Sequence, residues 1–338
     1  MPDIASREVR LASRPVATPA AENFEVVSTS APEPGPGQIQ VRNLWMSVDP
    51  YMRGRMSDRK SYAEPFAVGA VMNGGAVGEV VASNADGFAP GDKVLSMNGW
   101  REAWTAKPAD VEKLPDLDLQ PQAYLGAAGM PGLTAYVGLL RIGALKDGET
   151  VLVSGAAGAV GSMVCQIAKA KGCRVIGSAG SPEKVAFLKE IGVDAAINYK
   201  EHDGAVGLTK AFAAAAPDGV DVYFENVGGD HLTAALNVMA VRGRIAVCGM
   251  ISQYNNAQPE PGPNNLGLLI ARRVRIEGFL VFDNADMRPQ FYSDLAAWVR
   301  EGKVKWRETV VEGVENAPDA FLQLFTGGNV GKMLVKLS

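Results

Sequence analysis

The sequence predicts an α/β protein: a doubly wound parallel sheet of the Rossmann type joined to a β-rich domain. Three observations predict it. A chain of 338 residues exceeds what one hydrophobic core fills, and at roughly 150 residues per domain two globular parts are expected. The first third reads as short apolar or alternating runs broken by Pro-Gly and Asn-Gly turns. From about residue 150 the rhythm becomes strand, glycine turn, helix, which is the pattern of a parallel sheet with crossover helices.

In the β-rich part, strands are expected over residues 39–41, 78–82 and 92–95. Pro34-Gly35-Pro36-Gly37 and Pro90-Gly91-Asp92 form the turns that enter them. In the second part, strands are expected over 150–154, 174–178, 195–198, 220–225, 244–248 and 275–280, a set that suits a Rossmann sheet. Between the first two, residues 161–171 place Val164, Ile167 and Ala168 on one helical stripe, and Gly172 follows as a C-terminal stop. A helix over 286–301 and a last strand over 333–337 complete the reading. Residues 258–265, rich in Pro, Gly and Asn, form a loop.

Composition narrows the function. A 47% hydrophobic, 21% charged chain with 38 glycines is that of a folded enzyme. A formal net charge of -4 without a basic stripe argues against a nucleic-acid partner. Residues 1–15 carry Asp3, Arg7, Glu8, Arg10 and Arg14, so no apolar signal core is present and a cytoplasmic location is expected. The uncharged stretch 124–140 contains Pro131 and is short for a bilayer span, so it reads as buried protein and no membrane partner is expected. Three cysteines, Cys165, Cys173 and Cys248, are too few and too irregular for a disulfide framework.

The segment from Val151 to Gly161 carries the strongest chemistry. A strand runs into Ser154-Gly155-Ala156-Ala157-Gly158-Ala159-Val160-Gly161 and a helix follows, the context a dinucleotide fingerprint requires. Ala156 stands where the first glycine of G-x-G-x-x-G would sit, while Gly158 and Gly161 keep the close-approach and helix-packing positions. Amides at the helix start would hold a pyrophosphate, aided by the helix dipole. The end of the next strand, Ser178-Ala179-Gly180-Ser181, lacks the acid that binds the ribose hydroxyls of NAD. With Lys184 close behind, it suits a 2′-phosphate, so NADPH is the expected cofactor.

No zinc site is expected. Neither Cys nor His occurs in residues 1–164, where a catalytic zinc would take its ligands, and a structural site would need four closely spaced cysteines. Without a Lewis acid, hydride addition to an isolated carbonyl lacks its charge stabiliser, whereas conjugate addition to an enone yields a delocalised enolate that hydrogen-bond donors can hold. His231, after Gly228-Gly229-Asp230 at a helix start, reads as structural.

Five strings then carry a resemblance: Val48 through Met56 (VDPYMRGRM), Gly129 through Tyr136 (GMPGLTAY), the Gly158 to Gly161 turn, Glu225-Asn226-Val227-Gly228-Gly229, and Cys248 through Asn255 (CGMISQYN). Together they resemble the prostaglandin reductase and alkenal/one oxidoreductase group of the medium-chain dehydrogenase/reductases, bacterial curcumin-reductase-like members above all. The resemblance implies a GroES-like domain over 1–123 completed by 304–338, a Rossmann NADPH-binding domain over 124–303, and a homodimer. It places cofactor contacts on Gly158, Ala159, Val160, Gly161, Lys184, Tyr199, Asn226, Cys248, Gly249, Met250, Ile251, Ser252, Gln253, Tyr254, Phe279, Leu280, Val281 and Asn329. Lys184 and Tyr199 would flank the 2′-phosphate. Tyr51 and Met130 would line the substrate pocket, with Arg53 at the domain interface. Tyr254 is the catalytic candidate: its phenol either donates to the developing enolate or positions the ribose, whose hydroxyl then does so. The implied reaction is NADPH-dependent reduction of the carbon–carbon double bond of α,β-unsaturated ketones or aldehydes. A zinc-free quinone reductase and a non-catalytic NADPH-binding sensor are the alternatives.

Overall fold

The computed structural model describes residues 3–337, and they form two compact units. Among these residues the first comprises 3–126, 308–329 and 333–337, and the second 127–307 and 330–332.

The first unit is β-rich. Strands Ile4–Leu11 and Phe24–Ala31 pair antiparallel. The larger sheet runs in the order Glu308–Glu312, Lys332–Lys336, Ile39–Ser47, Ala76–Ser83, Lys93–Ser96, Val111–Lys113, and Ala103–Ala106 also pairs with Ile39–Ser47. The C-terminal strand is thus paired with a strand formed early in the chain. Ile39–Ser47 extends well past the three residues expected of it, because a polar residue inside it is satisfied rather than exposed. Asn43 is buried; its side-chain amide donates to the carbonyls of Asn98 and Arg101 at 2.8 Å each, and its oxygen accepts from Trp104 Nε1 at 3.1 Å. A polar side chain with its partners made is at home in a core, so it ends a hydrophobic pattern without ending a strand. The opening strands, absent from the expectation, interleave buried Ser6, Val9 and Leu11 with charged Arg7, Glu8 and Arg10.

The second unit holds a six-stranded parallel sheet in the order Ala195–Asn198, Arg174–Ala179, Thr150–Val153, Val220–Glu225, Met239–Val247, Arg275–Gly278. The chain winds outward from Thr150–Val153 in one direction, then returns to lay Val220–Glu225 on its other side. This reversal opens a crevice at the carboxyl ends of the two central strands, where doubly wound sheets bind ligands. Helix Ala159–Ala170 follows the first strand. It is buried continuously from Gly161 to Ala168, not along the single stripe expected, because helix Met130–Val137 packs on it as well as the sheet. Its buried Gln166 donates to Ser162 O (3.0 Å) and Lys305 O (2.7 Å) and accepts from Lys305 N (2.7 Å), so it holds the 303–305 segment without leaving a polar group unpaired.

Several elements differ at their ends from expectation. The fifth strand starts at Met239 rather than 244, and the sixth stops at Gly278 rather than 280. Helix Arg288–Arg300 begins two residues after its expected start, with Pro289 in its first turn, where the missing N–H costs nothing. Residues 124–140 are buried protein, forming the turn Pro121–Leu125 and helix Met130–Val137. Among the described residues no helix is long and apolar enough to cross a membrane. Cys165 and Cys173 are buried thiols.

Candidate active site

The site in the second unit is assembled at the ends of the two central strands. Strand Thr150–Val153 runs into Ser154 and then Gly155, whose φ of 58° lies in the left-handed region that a side chain disfavours. The turn is held by Ala156 N donating to Ser178 O (2.9 Å) and Gly158 N donating to Gly155 O (3.0 Å). Gly158 caps helix Ala159–Ala170 in an extended conformation, so the first-turn amides of Ala159, Val160 and Gly161 point out of the helix start. A Cβ on Gly161 would lie 2.4 Å from Gly155 O and 2.7 Å from Ala156 Cα, both backbone atoms. On Gly158 it would meet only Gly155 O, at 3.3 Å. Gly161 therefore serves the turn itself, and Gly158 leaves open the face that a pyrophosphate would approach. Segment Val330–Lys332 closes this side, with Gly331 N donating to Ala157 O at 2.8 Å. Asn329, in the first unit, directly precedes it.

Strand Val220–Glu225 supplies the opposite wall, and its last residue organises it. Glu225 is fully buried, and its Oε1 accepts from Ser154 Oγ (2.8 Å), Val227 N (2.6 Å) and Gly228 N (3.0 Å). Its carbonyl accepts from the amides of Cys248 (2.9 Å) and Gly249 (3.1 Å). Burial pushes the carboxyl up, and these donations from Gly228, Val227 and Ser154 oppose the rise. Asn226 completes the link, donating from its amide nitrogen to Ser154 Oγ (2.9 Å) and from Nδ2 to Ser154 O (2.7 Å). The three turns after the first, fourth and fifth strands are thereby tied to Glu225, through its carboxyl group and its backbone carbonyl, and to the Ser154 hydroxyl. Glu225 and Ser154 were not among the expected site residues. An acid closing the run Val-Asp-Val-Tyr-Phe-Glu was the available signal.

The 248–254 loop carries the catalytic candidate. Ile251 N donates to Asn226 O (3.1 Å), Ser252 N to Val227 O (3.0 Å) and Ser252 Oγ to the same carbonyl (2.6 Å). Gln253 lies in the short helix Ile251–Gln253. The Tyr254 hydroxyl accepts from Met250 N at 3.3 Å, and a Cβ on Gly249 would lie 2.8 Å from that oxygen. The phenol is folded back onto its own loop. An oxygen that accepts in this way still carries a proton it can donate, since a phenol has both functions. Burial, then the charge of Glu225, pushes the Cys248 thiol up to about 12, which makes it a packing group and not a nucleophile at neutral pH.

At the second strand's end, Ala179-Gly180-Ser181 leads into helix Pro182–Glu190, capped by Ser181 Oγ accepting from Lys184 N at 3.3 Å. Tyr199 packs over Gly180 so closely that a Cβ there would come within 2.8 Å of its hydroxyl. Lys184 has its ammonium pushed down by burial and by the like charge of Lys200, against the opposing charge of Glu183. A half-buried ammonium whose positive neighbour outweighs its nearest carboxylate is a place where a bound anion is favourable. The cradle above Gly158, the outward amides and this lysine pair all fit a dinucleotide bearing a 2′-phosphate.

The remaining expected residues are placed as follows. Phe279 packs its ring edge-on against Phe224 (6.3 Å, 82°), Val281 is buried, and Leu280 lies between them. Met130 starts helix Met130–Val137, and its carbonyl accepts from Thr134 Oγ1 at 2.7 Å. Tyr51 belongs to the first unit, where it caps helix Met52–Arg55; burial and then Asp49 push its phenol up, against the opposing charge of Arg55. Arg53 donates to Ala17 O at 2.7 Å within that same unit.

Comparison with known proteins agrees with this arrangement. Residues 7–114 match the N-terminal domain of oxidoreductase family, and residues 159–298 match the family described as zinc-binding dehydrogenase. Despite that description, no group of three or more His, Cys, Asp or Glu among the described residues is gathered so as to hold a metal ion. The chain is 43% identical to the NADPH-dependent curcumin reductase of Escherichia coli, over 97% of this chain and 96% of that protein. It is 44% identical to the NADP(+)-dependent 2-alkenal reductase of Nicotiana tabacum, over 99% and 98%. The crystal structure of CurA from Vibrio vulnificus in complex with NADPH superimposes with a TM-score of 0.92 at 44% identity, covering 98% of this chain and 99% of that one.

Proposed function

Since this chain belongs to the zinc-independent medium-chain dehydrogenase/reductases, in the group that holds the curcumin, 2-alkenal and prostaglandin reductases, we propose that it reduces the carbon–carbon double bond of α,β-unsaturated ketones and aldehydes with NADPH. The observation that carries this reading is the Tyr254 phenol, seated on the Met250 amide in the loop that Glu225 and Asn226 hold beside the sheet's switch point. When bound, NADPH supplies the hydride for the β-carbon. The residues do the rest. The amides of Ala159, Val160 and Gly161 bind the pyrophosphate, and Lys184 and Tyr199 bind the 2′-phosphate. Asn226, the 248–254 loop, Phe279, Leu280, Val281 and Asn329 line the nicotinamide half. Tyr254 faces the oxygen on which enolate charge develops, where a preorganised donor is effective. Tyr51 and Met130 border the substrate. In this reading residues 1–123 with 304–338 form the catalytic domain and 124–303 the cofactor domain.

The first experiment is NADPH oxidation with a panel of enones, enals, quinones and simple ketones, with products identified by mass. Saturated ketones formed from enones support the proposal. Turnover of quinones alone would replace it with quinone reduction, and NADPH binding without turnover would make the protein a sensor. Tyr254→Phe is expected to lower kcat roughly tenfold, the worth of one lost hydrogen bond, with solvent still supplying the α-proton. Lys184→Ala is expected to raise KM for NADPH roughly ten- to a hundredfold through loss of a charge-assisted phosphate contact, leaving KM for NADH unchanged.

We further propose that the protein works in the cytoplasm as a homodimer. Supporting the dimer, strand Arg275–Gly278 forms one edge of the parallel sheet, and Ile270, Ile276 and Phe282 on and around it are exposed. An uncovered edge with apolar neighbours invites a second copy to continue the sheet.

A further inference from the structure

His231 is a buried titratable group of the second unit that the proposed chemistry does not use. It sits in the first turn of helix Gly229–Val238, only 4% exposed, immediately after the Glu225–Gly228 turn. Its ring meets three elements. Nε2 shares a hydrogen bond of 2.9 Å with Ser178 Oγ, at the end of the second strand, and Ser178 is fully buried. The Tyr199 ring stands edge-on to the imidazole at 5.0 Å and 77°. Phe212, from helix Gly204–Ala215, closes the far side at 6.3 Å. Burial pushes the imidazole down to about 4, so it is neutral at physiological pH and adds no charge of its own beside the lysines.

These contacts join two places that sequence separates widely. Ser178 precedes Ala179 and Gly180, and Tyr199 lies over Gly180 with no room for a side chain between them. Without the imidazole, the Tyr199 ring would lose its edge-on neighbour at 5.0 Å, and the buried Ser178 hydroxyl would lose its hydrogen bond to Nε2. We propose that His231 is a positioning residue for cofactor selection: by bonding Ser178 and abutting Tyr199, it sets the surface against which the 2′-phosphorylated ribose of NADPH rests. The inference rests on the reading of Lys184 and Tyr199 as the 2′-phosphate site. It assigns to a residue outside that site the geometry on which NADPH is told from NADH.

The test uses His231→Gln, which keeps a hydrogen-bonding nitrogen for Ser178 but loses the ring, and His231→Phe, which keeps the ring but loses the bond. Dissociation constants for NADPH and NADH, kcat at saturating NADPH, and thermal midpoints are measured on the full chain. In both variants the NADPH dissociation constant is expected to rise roughly tenfold, as for one lost contact, while that for NADH and kcat at saturation change less than about twofold. A lowered thermal midpoint with the NADPH-to-NADH affinity ratio unchanged would overturn the proposal and leave His231 a core-filling residue. If His231→Phe fails to fold, His231→Gln alone decides between these outcomes. Measured first on the unsubstituted protein, the same ratio separates the two levels. A protein that does not prefer NADPH overturns the 2′-phosphate reading and this inference with it; a protein that prefers NADPH, and keeps that preference in the variants, overturns the role of His231 alone.

Discussion

Gly161→Ala is expected to raise the NADPH dissociation constant at least a hundredfold. The added methyl group would sit 2.4 Å from Gly155 O and 2.7 Å from Ala156 Cα. Neither contact is with a flexible side-chain end that could swing aside. The turn or the helix start must move, and with it the amides that would hold the pyrophosphate. A displacement of about 1 Å in groups that must converge on one ligand is enough for a loss of roughly two orders of magnitude. Gly158→Ala provides the control. Its Cβ meets only Gly155 O, at 3.3 Å, so the turn is expected to keep its shape and the thermal midpoint to hold. Its methyl group instead occupies the face left open to the ligand, so affinity falls without a loss of stability. Titration of NADPH by fluorescence, beside thermal unfolding of both variants, checks the pair. Wild-type affinity in Gly161→Ala would remove the glycine turn from the cofactor site.

The largest effect on stability is expected in the first unit, from Trp100→Ala. Trp100 is fully buried, stacked on Phe24 at 6.1 Å with the rings 4° from parallel, and met edge-on by Phe321 at 6.1 Å and 75°. Phe321 comes from helix Ala317–Thr326, near the C-terminus, and Phe24 from strand Phe24–Ala31. One indole thus joins three stretches that are remote in sequence. Removing it leaves a cavity that such a core closes only in part, at a cost of about 3–5 kcal/mol. The melting transition of the first unit is expected to fall by roughly 10 °C, read by near-ultraviolet circular dichroism, where tryptophan packing is visible. The backbone at Trp100 has a φ of 63°, so alanine there gains no relief of strain. Trp100→Phe, which keeps an aromatic ring between Phe24 and Phe321, is expected to recover about half of the loss. A change in midpoint smaller than about 2 °C in Trp100→Ala would show that this cluster does not hold the unit together.

Much of the second unit was legible because its signals are local. Val151-Leu152-Val153 before a glycine turn, and a helix after it, are set by β propensity, by glycine's access to positive φ and by helix periodicity, each acting within about a dozen residues. The missing acid at Ser178 to Ser181 is equally local, and it pointed to the same cofactor as the wider resemblance. The first unit was read less well. Ile39–Ser47 looked like a three-residue strand because Arg42 and Asn43 interrupt the apolar run, and the partners that make Asn43 acceptable lie at Asn98, Arg101 and Trp104. Ile4–Leu11 was passed over for a similar reason. Its partner strand begins only after an intervening loop, and its charged face finds partners such as Glu102 for Arg7 far along the chain.

For the candidate site the same division holds. The Tyr254 loop was implied by the family resemblance that short strings carry; the glycine turn and the NADPH preference follow from short strings whose chemistry is independent of what packs on them. The burial of helix Ala159–Ala170 on more than one side, the tying of three turns to Glu225 and Ser154, and the seating of Tyr199 over Gly180 against His231 do not. Each depends on residues that meet only after non-adjacent strands pair in a particular order. Local propensities carry no information about that order, because its free energy comes from burial and hydrogen bonds made across the sheet.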